Sequence, residues 1–144
     1  MKLKSILSAA VIVMLLIAGA ALADGWMDSH AWNVIHQTNA ERARQGLPAL
    51  RIDAELMSAA QVRAEEISRK FSHTRPNGKT GSSVTAAARN ENIARGHGYP
   101  DRVMAAWLTS DSHRRNILAR GYGSIGAACL EIGGVTYWVQ LFGL

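Results

Sequence analysis

The sequence predicts an α+β fold on three observations. Apolar residues recur at three- to four-residue spacing through the earlier part of the chain, two long apolar runs near its end read as strands, and Gly133-Gly134 separates those runs. Ala31, Val34, Ile35 and Thr38 share one face of a first helix. Gly46 and Pro48 end it, since glycine accepts the left-handed backbone after a last turn and proline cannot continue a helix. Asp53 is placed to cap a second helix, where its carboxylate accepts from the free amides of the first turn, and Leu56, Ala59, Ala60, Ala64 and Ile67 form that helix's buried stripe. Residues 72–83, rich in Pro, Gly, Asn, Ser and Thr, read as a surface loop, followed by a short helix over 84–88 and a loop carrying Asn90-Glu91-Asn92. Pro100 opens a helix with Val103, Met104, Trp107 and Leu108 inward, and Asp111 is placed to cap another over 112–119. Ile125 to Ile132 and Val135 to Phe142 then form a hairpin over Gly133-Gly134, a turn that needs positive φ at both positions. Both strands are apolar on both faces in places, the pattern of a sheet covered on two sides.

Residues 1–23 read as an export signal. Lys2 and Lys4 form a basic start, Ile6 to Ala20 is almost wholly apolar, and Ala21-Leu22-Ala23 offers small residues at alternate positions, so cleavage is expected between Ala23 and Asp24. The apolar run is short for a bilayer span of about 20 residues. The expected product is therefore a secreted or periplasmic protein with no stable transmembrane anchor. The remaining 121 of 144 residues suit a single domain, 24–144. Loss of Lys2 and Lys4 lowers the net charge from +5 to +3, and no run of Lys and Arg interleaved with aromatics occurs, so no nucleic-acid partner is expected. Cys129 is the only cysteine; it excludes an internal disulfide and, within its apolar run, reads as a small buried hydrophobe.

Three residues carry chemistry: His73 in a polar loop, Glu91 before a short apolar run, and His113 at a helix start. They lie 18 and 22 residues apart, so no local helical spacing groups them, and there is neither a His-Glu-x-x-His helix nor a paired-cysteine ligand set. Each also has a purely structural reading. His73 is placed to hydrogen-bond the turn at Pro76-Asn77-Gly78, and Glu91 to pair with Arg89 or Arg95 in a surface contact worth about 0–1 kcal/mol. Asn92 reads as a residue that fixes backbone, Trp107 and Trp138 as core, and Gln140 equally as a cleft residue or as the partner of a buried polar group. His30, His36 and His97 read as exposed.

Phe71-Ser72-His73-Thr74, Asn90-Glu91-Asn92-Ile93-Ala94, and Trp107 followed by Ser112-His113-Arg114-Arg115-Asn116-Ile117-Leu118 stand in order between an Asn39 to Pro48 segment and a Tyr137 to Gly143 ending. Together they resemble the CAP superfamily of cysteine-rich secretory proteins, antigen 5 and pathogenesis-related proteins, and are most similar to its short secreted bacterial members. The resemblance runs from about Ala31 to Leu144. It implies a three-layer α-β-α sandwich with a mainly antiparallel central sheet, and a cleft where two histidines and two acids hold a divalent metal, commonly zinc. His73 matches the first histidine, Glu91 the first acid and His113 the second histidine, while the second acid falls on Ser110. A serine brings neither the charge nor the basicity of a carboxylate. The metal candidates are thus His73 and His113, with Glu91 as a third; two protein ligands make a loose zinc site, and three are usual where the metal is catalytic.

Three functions follow as expectations. The preferred one is a secreted binding module whose cleft engages a ligand, lipid or protein partner, with the metal optional. The alternative is a weak metal-dependent hydrolase, peptidase-like, with Glu91 as general base, a metal on His73 and His113, and Ser110 or Ser112 donating to an oxyanion. The third is a structural envelope or extracellular protein with a vestigial cleft. For His113 the helix dipole disfavours the imidazolium while Asp111 favours it, which leaves its charge state open at this level.

Overall fold

The computed structural model describes residues 29–144; the expected export signal, 1–23, and its cleavage point lie outside the described residues. Helix α1 (29–44) is followed by β1 (Arg51–Ile52), α2 (Ala54–Arg69), a 3-10 turn (Gly81–Val84), β2 (Ala88–Arg95), α3 (Pro100–Thr109), α4 (Asp111–Leu118), β3 (Ser124–Ile132) and β4 (Val135–Gly143). The strands form one sheet in the order β1-β3-β4-β2, parallel between β1 and β3 and antiparallel elsewhere, which leaves β2 at an edge.

Alternate residues of each strand point to opposite faces, and both faces are covered. Ile125, Ala127, Cys129, Trp138 and Phe142 pack with Val34 and Ile35 of α1, Trp107 of α3 and Ile117 of α4. Ala128, Val139, Leu141 and Ile93 pack on the other face against Leu56, Ala60, Ala64 and Ile67 of α2. The result is the α-β-α sandwich, and it explains why β3 and β4 are apolar in both registers.

Local chemistry sets the element ends. Asp53 Oδ1 accepts from the Glu55 and Leu56 amides at 2.9 and 3.1 Å, capping α2, and Pro100 occupies the first turn of α3. Gly133 and Gly134 take φ of 58° and 75° in the β3–β4 turn. Cys129 is buried, and burial with the nearby Glu131 charge pushes its thiol up to about 12, so it behaves as a hydrophobe.

The segment after the polar loop departs from expectation. In place of a helix over 84–88 and a loop, the 3-10 turn ends at Val84 and strand begins at Ala88. Glu91 and Asn92 lie opposite Leu141 and Gln140 of β4, so polar side chains occupy strand positions where an apolar alternation was absent. Ser110, not Asp111, sits at the cap position of α4. His30 is buried, stacked on Trp138 at 5.8 Å between ring centroids, whereas His36 and His97 are exposed.

Helix α2 lies directly on the sheet at Gly126, where an added Cβ would come within 2.2 Å of the Leu56 carbonyl carbon. Backbone on both sides leaves nothing flexible to move. Gly126→Ala should therefore lower unfolding stability by about 3 kcal/mol or more, at the upper end of overpacking costs, while Gly121→Ala, with nothing within 4 Å of its added Cβ, stays within about 0.5 kcal/mol of the parent. Urea denaturation of the two variants checks this.

Candidate functional site

A buried arginine organises the site. Arg63 lies on the apolar stripe of α2, and its side chain is 1% exposed, so its charge must be paired. Its Nε donates to Glu91 Oε2 at 2.9 Å and its Nη2 to Glu91 Oε1 at 3.0 Å, a bidentate pair across the sheet edge. Nη1 donates to Glu66 Oε2 at 2.6 Å, and Nη2 also to the Ser72 carbonyl at 3.0 Å. Glu66 in turn accepts from Arg75 Nη2 at 2.8 Å. One guanidinium thus ties α2, β2 and the loop carrying His73 together.

His73 Nδ1 stands 2.9 Å from Glu91 Oε1. Because that carboxylate accepts, Nδ1 is the donor, which leaves Nε2 without a partner among the described residues. Burial opposes the Glu91 charge, but the His73 and Arg63 hydrogen bonds outweigh it and hold the carboxyl below its usual range. The 73–81 segment is further closed by the Gly81 amide donating to the His73 carbonyl at 2.6 Å. Gly81 has to be glycine, since an added Cβ would fall 2.0 Å from Glu91 Oε1.

The other wall is α4. Arg42, fully buried on α1, donates to the Ile117 and Ala119 carbonyls at 2.9 and 2.8 Å and so grips the C-terminal end of α4. Asn116 Nδ2 donates to Asn92 Oδ1 at 2.8 Å, and Asn92 Nδ2 donates to the His113 carbonyl at 3.1 Å and to Gln140 Oε1 at 3.0 Å. Gln140 continues to Thr38 Oγ1 at 2.7 Å, so it serves a buried polar network and does not line the cleft. Ser110 Oγ lies 2.8 Å from His113 Nδ1 and makes no capping bond to the helix. Burial, and then the nearby His73, lower the His113 pKa.

Between these walls, at the edge of β2, lies a cleft of about 660 Å3. Of the expected residues, His73, Glu91, Ser112 and His113 line it; Ser110 does not and reaches it only through His113. Arg89, Asn90, Arg115 and Asn116 line it as well, and no aliphatic side chain longer than threonine, nor any aromatic ring other than the two imidazoles, does so. Sequence reasoning missed Arg63, although a charged residue inside an apolar stripe was a readable signal. The expected surface pairing of Glu91 with Arg89 or Arg95 is replaced by the buried pair with Arg63. Trp107 and Trp138 belong to the core.

Among the described residues no group of three or more His, Cys, Asp or Glu side chains is arranged to hold a metal. Both Glu91 oxygens are taken by Arg63 and His73, while Nε2 of His73 and of His113 makes no hydrogen bond among the described residues. The donor set fits a pair of imidazoles with solvent, and Glu91 fits the outer position that orients His73.

Residues 35–142 match the cysteine-rich secretory protein (CAP) family, and the chain belongs to it. It is 35% identical over 119 residues to the uncharacterized protein YkwD of Bacillus subtilis, covering 76% of this chain and 45% of that one, so it spans just under half the length of that relative. An extracellular SCP-domain protein of Bacillus anthracis shares the fold with a TM-score of 0.72 at 23% identity, over 81% of this chain and 41% of that one. An outer surface protein of Borrelia burgdorferi gives a TM-score of 0.68 at 26% identity, over 76% of this chain and 87% of that one. Among the described residues no helix is long and apolar enough to cross a membrane.

Arg63→Ala leaves Glu91 buried without its main partner and should cost about 3–5 kcal/mol, whereas Arg63→Met with Glu91→Leu, which removes both charges, recovers much of that loss; chemical denaturation decides. The sign of the pH dependence follows from the depressed Glu91 and Glu66 carboxyls, both held down against burial by their arginine and histidine contacts. Their contribution is complete above the ordinary carboxylate pKa of about 4.3 and is lost as pH falls through the lower folded values. The lowered His113 adds an earlier loss as pH falls through its folded value below about 6.5. Thermal midpoints from pH 7 to pH 2 should fall in that order, with the lower step reduced in Glu91→Gln.

Proposed function

We propose that the protein is an exported binding module whose cleft takes a polar ligand, with His73 and His113 able to anchor a divalent metal such as zinc. The observation that carries this is the engagement of Glu91. A general base needs a free lone pair near the substrate and a pKa near the working pH. Here the carboxylate accepts from Arg63 and His73 on both oxygens and is held below its usual range, which suits a positioning group. Ser110, a candidate oxyanion donor, contacts His113 and does not line the cleft, and its contact orients that ring. The lining, made of hydroxyl, amide, imidazole and guanidinium groups, favours a hydrophilic ligand over a lipid tail.

Export is supported by two relatives that are, by name, extracellular or at the outer surface, together with the basic start and apolar run of residues 1–20. A metal bound through the two Nε2 atoms would supply a Lewis acid and an anchoring point for a ligand oxygen. His73 would hold its place through Glu91 and Arg63, and His113 through Ser110 and the Asn92 contact to its carbonyl.

Titrating zinc into metal-stripped protein by isothermal calorimetry at pH 7, beside the His73→Ala/His113→Ala variant, tests the reading. One-to-one binding lost in the variant is expected, and Glu91→Gln should weaken it about 10- to 100-fold, as loss of an orienting outer partner does. Equal heats in parent and double variant would refute the metal anchor.

A further inference from the structure

We infer that the cleft is an oxyanion site, recognising a small hydroxylated ligand that carries a phosphate or carboxylate between Arg89 and Arg115. This rests on the proposed ligand-binding role of the cleft and names the chemistry it selects.

The argument begins with charge. Four cationic or basic side chains line the cleft, Arg89 and Arg115 as permanent cations and His73 and His113 as imidazoles, against a single carboxylate, Glu91. That carboxylate is already matched by the buried Arg63 and bonded to His73, so it pairs with neither Arg89 nor Arg115. Neither Arg89 nor Arg115 forms an ion pair with a carboxylate among the described residues. Arg89 Nη1 donates only to its local Ala86 and Ala88 carbonyls, at 2.6 and 3.1 Å, which fixes the stem and leaves Nε and Nη2 for a ligand. The Arg115 side chain makes no hydrogen bond or ion pair among the described residues, and Asp111 lies with it along a neighbouring depression without pairing to it. Two guanidiniums, each a planar fork of donors, facing one polar cavity form an arrangement suited to bidentate capture of phosphate or carboxylate.

Neutral groups supply the rest. Thr74, Thr80, Ser82 and Ser112 offer hydroxyls and Asn90 and Asn116 offer amides, partners for ligand hydroxyls and not for hydrocarbon. At about 660 Å3 the cleft has room for a ligand the size of a sugar phosphate or larger.

The test uses protein expressed from the full chain and purified as the host processes it, with glucose 6-phosphate, glucuronate and glucose as probes, followed by calorimetry and by NMR of the histidine ring protons. Both anions should bind and shift His73 and His113, and glucose should not. Binding should weaken as salt rises to about 0.5 M. Arg115→Ala, which removes no internal hydrogen bond or ion pair, should weaken both anions about tenfold or more, and Arg115→Glu should abolish binding at a small cost to the helix, so that the protein stays folded at the assay temperature. Preference for glucose 6-phosphate over glucuronate would assign the phosphate source, and the reverse the carboxylate. Equal binding of glucose and glucose 6-phosphate, or affinity unchanged in Arg115→Glu, would overturn the inference. A zinc titration of the same preparation keeps the two readings apart, since it responds to His73 and His113 whatever the anion result.

Discussion

The site depends on one buried ion pair. Arg63 stands in the middle of the stripe that α2 packs on the sheet, where an unpaired charge would cost several kcal/mol, and each of its three guanidinium nitrogens finds an acceptor among Glu91, Glu66 and the Ser72 carbonyl. That requirement fixes more than stability. It sets the distance between α2 and the edge strand, ties the start of the 72–83 loop to the helix before it, and presents the second lone pair of Glu91 Oε1 to His73. Gly81 is the sterical counterpart, because any side chain there would displace the carboxylate from its partner. A glutamate so constrained is held in place on both oxygens.

The opposite wall is held by neutral polar contacts. Asn92 and Gln140 occupy the sheet face covered by α1, α3 and α4, and through Asn116 and the His113 carbonyl they hold α4 against β2. The same contacts cover the open edge of the strand. Asn116 donates to the Glu91 carbonyl at 3.3 Å, Trp107 Nε1 to the Ile93 carbonyl at 3.3 Å, and Asn90 Oδ1 accepts from the Glu91 amide at 2.9 Å. An edge whose acceptors and donors are already met by side chains is guarded against pairing with another chain. Ligands therefore meet side chains in this cleft, not a bare strand.

Much of the fold was legible because its signals are local. The stripes of α1, α2 and α3, the Asp53 cap and the Gly133-Gly134 turn each sit within a few residues and obey periodicity or turn chemistry. Strand β2 was not, because Asn90, Glu91 and Asn92 break the apolar alternation that marks a strand; Glu91 and Asn92 are buried through partners 20 to 50 residues away. The motifs pointed to His73, Glu91 and His113, which line one cleft, yet the partner of Glu91 was sought among its neighbours Arg89 and Arg95 when it lies 28 residues upstream in Arg63. The basic character of the cleft was hidden for the same reason, since Arg89 and Arg115 meet only once β2 and α4 are packed together.

Ser110 connects these observations to chemistry. At the position where the family resemblance places a second acid, a hydroxyl orients His113 without adding charge. Were a divalent ion to bind the Nε2 atoms as proposed, two imidazole ligands and a Glu91 already matched by Arg63 would leave its charge uncancelled, and Arg89 and Arg115 would add to it. The electrostatic debt is then met most directly from outside the protein, by an anionic ligand. On this account metal and anion favour each other's binding, and because such coupling is a property of the ternary state, each must strengthen the other by the same factor. A carboxylate at position 110 would cancel part of that charge from within and weaken the coupling. On the proposed reading, then, the serine would shift the cleft from a self-contained metal site toward one completed by its ligand.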